Sequence, residues 1–201
     1  MEKLKEFLNP ETLVQSMCLV FLTKEKNLMH FSNEQVRLRP IRTDLDLDFI
    51  MEFANSQEIV RHTLGRRFPS QASNVADWIT SSNTGEFPTR IAMIIEAEQS
   101  QQVGLVQIDQ INWVSRNGWF GIWLVPSQRR KGYGEFSVKS IINYSFATLG
   151  LRQLRLIVKS GNSDALGLYE KFGFNKEGEM VEAELVGGKF HNLIIMRLDN
   201  K

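Results

Sequence analysis

Between a strand-like apolar segment and a helix-like one, the chain carries Val125-Pro126-Ser127-Gln128-Arg129-Arg130-Lys131-Gly132-Tyr133-Gly134, with three consecutive cations just ahead of two glycines. Backbone amides in the first turn of a helix have no intrahelical acceptor and carry partial positive charge, and glycine lets an anion approach them closely. The chemistry of this stretch is that of a pyrophosphate cradle. Taken alone, a plain strand-to-helix turn that uses glycine for its backbone freedom accounts for it equally well. Other reactive side chains stand without partners in sequence. Cys18, inside the apolar run Leu13 to Leu22, has no neighbouring His or Asp and reads as a small buried hydrophobe. His62, in an aperiodic basic stretch from Arg61 to Pro69, reads as a surface-loop histidine bordering a ligand cleft rather than a base.

The elements that must position the loop follow from periodicity. Val36 to Ile41 alternates apolar and basic residues, as a strand with one buried face does. Leu45, Phe49, Ile50, Phe53 and Ala54 recur at helical spacing behind the cap candidates Thr43 and Asp44, and Ser73 to Ser82 reads as a second helix capped by Ser73 or Asn74. Ile91 to Glu96 and Val103 to Ile108 are strand-like around a polar connector, and Trp119 to Val125 is apolar enough to be covered on both faces. After the loop, Phe136, Val138, Ile141, Ile142, Tyr144 and Phe146 form the wide stripe of a helix lying on a sheet, ended by Leu149-Gly150. A strand at Leu154 to Val158 and a helix capped near Asn162-Ser163-Asp164 complete a parallel crossover. Two last strands follow, with Gly187-Gly188 suited to the hairpin turn between them.

At 201 residues the chain suits one globular domain, taken as 36–201 behind an N-terminal extension, 1–35, that packs on the domain or on another subunit. The apolar run in that extension is too short to span a bilayer and lacks the frame of a signal peptide. With 24 basic and 23 acidic residues, net charge +1, the composition points neither to nucleic acid nor to a membrane surface. One cysteine excludes an internal disulfide and, with seven methionines, points to a reducing cytoplasm.

Two blocks in this order resemble the GCN5-related N-acetyltransferase (GNAT) superfamily, in particular its branch of ribosomal-protein N-terminal and spermidine acetyltransferases. Its Arg/Gln-x-x-Gly-x-Gly/Ala signature matches Arg129-Arg130-Lys131-Gly132-Tyr133-Gly134, and its Asn-x-x-Ala-x-x-x-Tyr-x-x-x-Gly-Phe element is similar to Asn162 through Phe174. The resemblance covers roughly 36–198. It implies an α/β (α+β) fold with a mixed central sheet of about seven strands and about four helices. It also implies acetyl-CoA as co-substrate, no metal and no protein nucleophile. By the same resemblance, amides from Arg130 to Glu135, including those of Lys131, Gly132, Tyr133 and Gly134, hold the pyrophosphate while Arg129, Arg130 and Lys131 add positive charge. Backbone groups near Leu124 and Val125 pair with pantetheine and polarise the thioester carbonyl. Tyr169 falls at the position of the general acid that protonates the leaving thiolate, and Asn162 at that of the residue orienting the pantetheine arm. As plain structure, Tyr169 is a helix aromatic capping the core and Asn162 a helix N-cap.

One position departs from the family pattern. Many relatives carry a glutamate two residues before the glycine of the strand preceding the loop, and Trp119 stands there, whose indole cannot accept a proton. Asp109, Glu86, Glu182 and Glu184 are the carboxylates that could replace it, as could a water chain. The implied function is transfer of acetyl from acetyl-CoA to a primary amine, either a small molecule such as a polyamine or amino sugar, or a protein N-terminus. A non-catalytic acyl-CoA-binding module on the same fold is the alternative that Trp119 favours. Glu177, Glu179, Glu182 and Glu184 could attract a polyamine or simply form the wet face of a strand. The resemblance further implies a homodimer.

Overall fold

The computed structural model describes residues 31–56 and 68–200; Cys18, His62 and the apolar run Leu13 to Leu22 lie outside them. The described residues form one eight-stranded sheet and four α-helices. In chain order these are β1 (Phe31–Ser32), β2 (Arg37–Pro40), α1 (Thr43–Asn55), α2 (Ala72–Thr80), β3 (Ile91–Glu96), β4 (Gln102–Asn112) and β5 (Asn117–Leu124). There follow α3 (Tyr133–Asn143), β6 (Gln153–Lys159), α4 (Ser163–Lys171), β7 (Asn175–Val186) and β8 (Lys189–Asp199). The strand order is β1-β2-β3-β4-β5-β6-β8-β7, and every neighbouring pair is antiparallel except β5 and β6. The strand beyond the seven expected is the short β1, contributed by Phe31–Ser32 ahead of the alternating segment and paired with Leu38 and Arg37.

Alternation along the strands gives the sheet two apolar faces, each closed by a pair of helices. On one, Val138 and Ile141 of α3 and Tyr169 of α4 pack with Phe120, Leu154, Leu156 and Phe174. On the other, Ile50 and Ala54 of α1 and Val75 and Ile79 of α2 pack with Ala92, Ile94, Leu105 and Trp123. Phe49 and Phe53 lean on the Trp123 indole from α1.

The first helix starts differently from expectation. Neither Thr43 nor Asp44 caps it; Arg42 is the N-cap residue and makes no side-chain cap bond. Instead Asp46, fully buried in the first turn, accepts from the Arg42 amide at 2.7 Å and takes a bidentate pair from Arg39 at 2.6 and 2.8 Å. Arg39 in turn donates its Nε to Glu96 at 2.6 Å. One buried arginine thus ties β2, β3 and the start of α1 together. Helix α2 likewise begins after Gln71 with no side-chain cap, not at Ser73 or Asn74. The long stripe after the loop is α-helical only to Asn143; Tyr144–Thr148 widens into a π turn, in which the Leu149 amide reaches back to the Tyr144 carbonyl at 3.0 Å.

Candidate active site

Strands β5 and β6 pair only at Asn117–Gln153, Gly118–Leu154 and Trp119–Arg155. Beyond Trp119 they separate, β5 following β4 as far as Leu124 and β6 following β8 as far as Lys159. The sheet therefore opens as a wedge at the end where the glycine loop begins. Backbone groups of a strand alternate sides. The Val125 amide donates to Val103 of β4 at 2.9 Å and its carbonyl accepts from Gln128 at 2.8 Å, so both are taken. By alternation the backbone N–H groups of Leu124 and Ile122 point into the wedge. Of the two positions expected to serve a pantetheine arm, Leu124 has a donor to offer and Val125 does not.

The loop leads directly from that strand end to α3. Arg130 takes φ +61° and Gly132 φ +85°, a left-handed conformation that suits glycine and turns the chain into the helix. The first intrahelical bond is Phe136 to the Gly132 carbonyl at 3.1 Å, no side chain caps the helix, and the amides from Arg130 to Glu135 find no acceptor among the described residues. A Cβ built on Gly134 would sit 3.3 Å from Leu124 Cδ1 and 3.8 Å from Leu168 Cδ2. Glycine here lets the helix start press against the end of β5 and against α4. An uncapped helix N-terminus beside a backbone donor in an open wedge fits a group carrying a pyrophosphate at one end and a thioester at the other.

The cations are arranged unevenly. Arg130 pairs with Asp164 in the first turn of α4 at 2.9 Å, and Lys171 with Glu135 at 2.6 Å, two exposed ties between α3 and α4. Lys131 donates to Gln128 at 2.8 Å, and Arg129 makes no ion pair among the described residues. Arg129 is thus the loop cation available to a phosphate without breaking an existing contact.

On α4, Asn162 is the N-cap, its Oδ1 accepting from the Ala165 amide at 3.2 Å. Tyr169 lies seven residues on, two turns along the same helix face and about 10 Å away by helix geometry. Its ring packs edge-on against Phe120 at 6.0 Å and Phe174 at 5.9 Å. Phe120 is the first residue past the last β5–β6 pair, so Tyr169 sits at the root of the wedge. Burial pushes its phenol up to about 12, and it therefore holds its proton throughout the neutral range.

The carboxylates considered as replacements for the missing glutamate are occupied or remote. Asp109 is held by Arg90 at 3.2 Å, with Arg90 also stacked 5.3 Å over Trp78. Glu184 is largely buried with Lys159 at 3.1 Å, while Glu86 and Glu182 lie exposed in a loop and at a strand irregularity. Trp119 stands between Asp109 and Arg155 across the two neighbouring strands. Glu177 is bound by Arg155 and Arg197, whose hydrogen bonds and charge lower its pKa, and Glu179 by Lys176 and Asn192 with the same effect. That row is a salt-bridged strand face, and three of its four carboxylates are neutralised. Among the described residues no group of three or more His, Cys, Asp or Glu could hold a metal, and no helix is long and apolar enough to cross a membrane.

A splayed parallel pair, a backbone donor in the gap and an uncapped helix start define a cofactor-fed acyl-transfer site. Residues 35–175 match the family model described as an acetyltransferase (GNAT) domain, and the chain belongs to that family of acetyl-CoA-dependent N-acetyltransferases. It is 28% identical over 165 residues, 82% of this chain and 86% of the other, to the spermidine N(1)-acetyltransferase of Escherichia coli K12. The corresponding enzyme of Vibrio cholerae is 27% identical over 161 residues, covering 80% and 91%. The crystal structure of that Vibrio cholerae spermidine N-acetyltransferase with CoA and spermine superposes with a TM-score of 0.75 at 26% identity, covering 83% of this chain and 96% of that one. A dodecameric form of it gives 0.71 at 26% identity, covering 83% and 95%.

Proposed function

We propose that this N-acetyltransferase acetylates a primary amine of a small cationic molecule, a polyamine being the first candidate, by direct attack on the acetyl-CoA thioester. The observation that carries the reading is the Leu124 amide facing the wedge between the uncapped start of α3 and the Tyr169 phenol. The polyamine assignment rests on similarity to spermidine acetyltransferases, because the carboxylates of β7 are largely tied up by cations of β6, β7 and β8.

In this reading the amides from Arg130 to Glu135, with Arg129, hold the pyrophosphate at the helix start, and Asn162 orients the pantetheine arm while capping α4. The amine nitrogen attacks the thioester carbon, and the Leu124 N–H donates to the oxygen as it becomes an oxyanion. The C–S bond then breaks, and Tyr169 gives its proton to the thiolate. The proton lost by the attacking ammonium passes to water, since the position of the usual glutamate is Trp119, and Tyr169 is reprotonated from solvent. The products are the N-acetylated amine and free CoA.

Free-thiol release from acetyl-CoA, measured with polyamines, amino sugars and N-terminal peptides, tests the assignment. Amine-dependent release greatest with spermidine or spermine is the expected result. Release only with N-terminal peptides would move the acceptor to proteins, and tight acetyl-CoA binding without release from any amine would leave a binding module. We further propose that the chain self-associates; sedimentation of the full chain against one lacking residues 1–34 tests the part the extension plays.

A further inference from the structure

The face of the sheet opposite α3 and α4 carries an unmet hydrogen-bond acceptor beside the wedge. The side-chain oxygen Oε1 of Gln107 is buried and has no donor among the described residues. Gln107 lies on β4 directly opposite Gly121 of β5, and Gly121 is two residues past Trp119, where β5 has already left β6. Alternation puts Gln107, Gly121 and Trp123 on the α1/α2 face, while Phe120 and Tyr169 are on the other. A Cβ built on Gly121 would lie 3.4 Å from Gln107 Cγ and 3.5 Å from its Nε2, in ordinary contact, so the carboxamide lies over β5 where the outer atoms of a side chain larger than alanine's would meet it. The pyrophosphate cradle and Tyr169 belong to the α3/α4 face. An amine adds to the thioester carbon from above or below the carbonyl plane, and the side of the wedge turned away from the cradle and Tyr169 is the one that Gln107 borders.

We propose that the side-chain carbonyl of Gln107 accepts a hydrogen bond from the incoming primary amine and aims its lone pair into the wedge, with Gly121 leaving the room that Gln107 needs. This rests on the acetyl-transfer reading above and adds a positioning residue to it. A buried carbonyl with no protein donor among the described residues gains a partner when a primary amine enters. Such an amine can donate one N–H to it and still present its lone pair to the thioester, which an alcohol, with a single O–H, cannot match in the same way. Being neutral, Gln107 orients the amine without accepting its proton. The pH dependence of kcat/KM then follows the acceptor amine's own pKa.

The test compares Gln107→Met, Gln107→Glu and Gly121→Val in the full chain, reading kcat and KM for the amine, the Kd of acetyl-CoA by calorimetry, and Tm. Gln107→Met should raise the amine KM by about tenfold or more and leave the acetyl-CoA Kd within about twofold. Gly121→Val, which crowds Gln107 off β5 without altering it, should raise the same KM, so the proposal stays testable if one variant fails to fold. Gln107→Glu puts a proton acceptor where the amide was and should extend kcat/KM to lower pH. An amine KM untouched by Gln107→Met and Gly121→Val, or an acetyl-CoA Kd moved as much as the KM, overturns this proposal while leaving acetyl transfer standing. Absence of amine-dependent thiol release in the unaltered protein overturns both.

Discussion

The Val125 amide donates to the Val103 carbonyl at 2.9 Å, and that bond fixes which backbone groups of β5 look into the wedge. Val125 has φ −51° and ψ 130°, a conformation proline can take, so Val125→Pro removes the donor without forcing the backbone. Losing this bond should cost about 1 kcal/mol of stability. Freed from its neighbour's anchor, the Leu124 amide should drift from the oxyanion position, lowering kcat by about tenfold or more. Thermal unfolding and steady-state kinetics check both; an unchanged kcat would remove Leu124 from the mechanism.

Gly134 and Gly132 fail in different ways when substituted. A valine at 134 starts from a Cβ 3.3 Å from Leu124 Cδ1 and should push the start of α3 off β5, raising the Kd of acetyl-CoA by about tenfold or more. Gly132→Ala meets nothing within 4 Å, but its φ of +85° strains any L side chain by about 1 kcal/mol. Calorimetric titration should rank the losses as Gly134→Val above Gly132→Ala, with the amine KM at saturating acetyl-CoA less affected.

Tyr169→Phe keeps the ring contacts with Phe120 and Phe174 and deletes the proton donor. It should lower kcat by about 100-fold or more, with acetyl-CoA still binding. The sign of the pH effect follows from the raised phenol, at about 12 against 10.0 unfolded. The folded state holds this proton more tightly than the unfolded one. The resulting stabilisation is complete below about pH 10 and is lost as pH rises from there through 12. Alkaline unfolding monitored by circular dichroism should show a larger loss in the parent protein than in Tyr169→Phe, where the half-buried Tyr144 phenol, also raised by burial, still contributes.

Asn162 carries a structural duty that can be separated from its proposed catalytic one. Asn162→Ala removes the cap bond to Ala165 and should cost about 1 kcal/mol, or about 2–4 °C in Tm. Asn162→Ser restores the cap but not the longer amide, so Tm should recover while kcat/KM for acetyl-CoA does not.

Asp46→Ala leaves Arg39 buried with half its partners and the Arg42 amide without an acceptor. Stability should fall by about 3–5 kcal/mol, more than for any exposed ion pair such as Arg130–Asp164. Urea titrations of the two alanine variants at Asp46 and Asp164 give the comparison.

The sheet, the loop and the second motif block were legible in the sequence because each depends on local signals: alternation, helical stripes and glycines where the chain turns. Helix starts were less so. Asp46 stabilises α1 by joining it to Arg39 and, through that arginine, to Glu96 of β3, and no local cap rule reaches across those strands. Likewise Glu177 and Glu179 read as a row of open carboxylates in sequence, and their neutralisation comes from Arg197 of the neighbouring β8, Arg155 of β6 one strand beyond it, and Lys176 of β7 itself.

The amino-acid order named the acyl donor through its resemblance to a family pattern: Arg129 to Gly134 followed by Asn162 to Phe174 matches the two GNAT blocks, whereas the glycine loop by itself fitted a plain turn equally well. Only the tertiary structure decided which atoms can act. Whether Leu124 or Val125 faces the wedge depends on the register between β4 and β5, and Gln107 stands opposite Gly121 only because that register holds. Register is a relation between strands, set by long-range pairing, and a one-residue slip would exchange every group that faces the site with one that faces away.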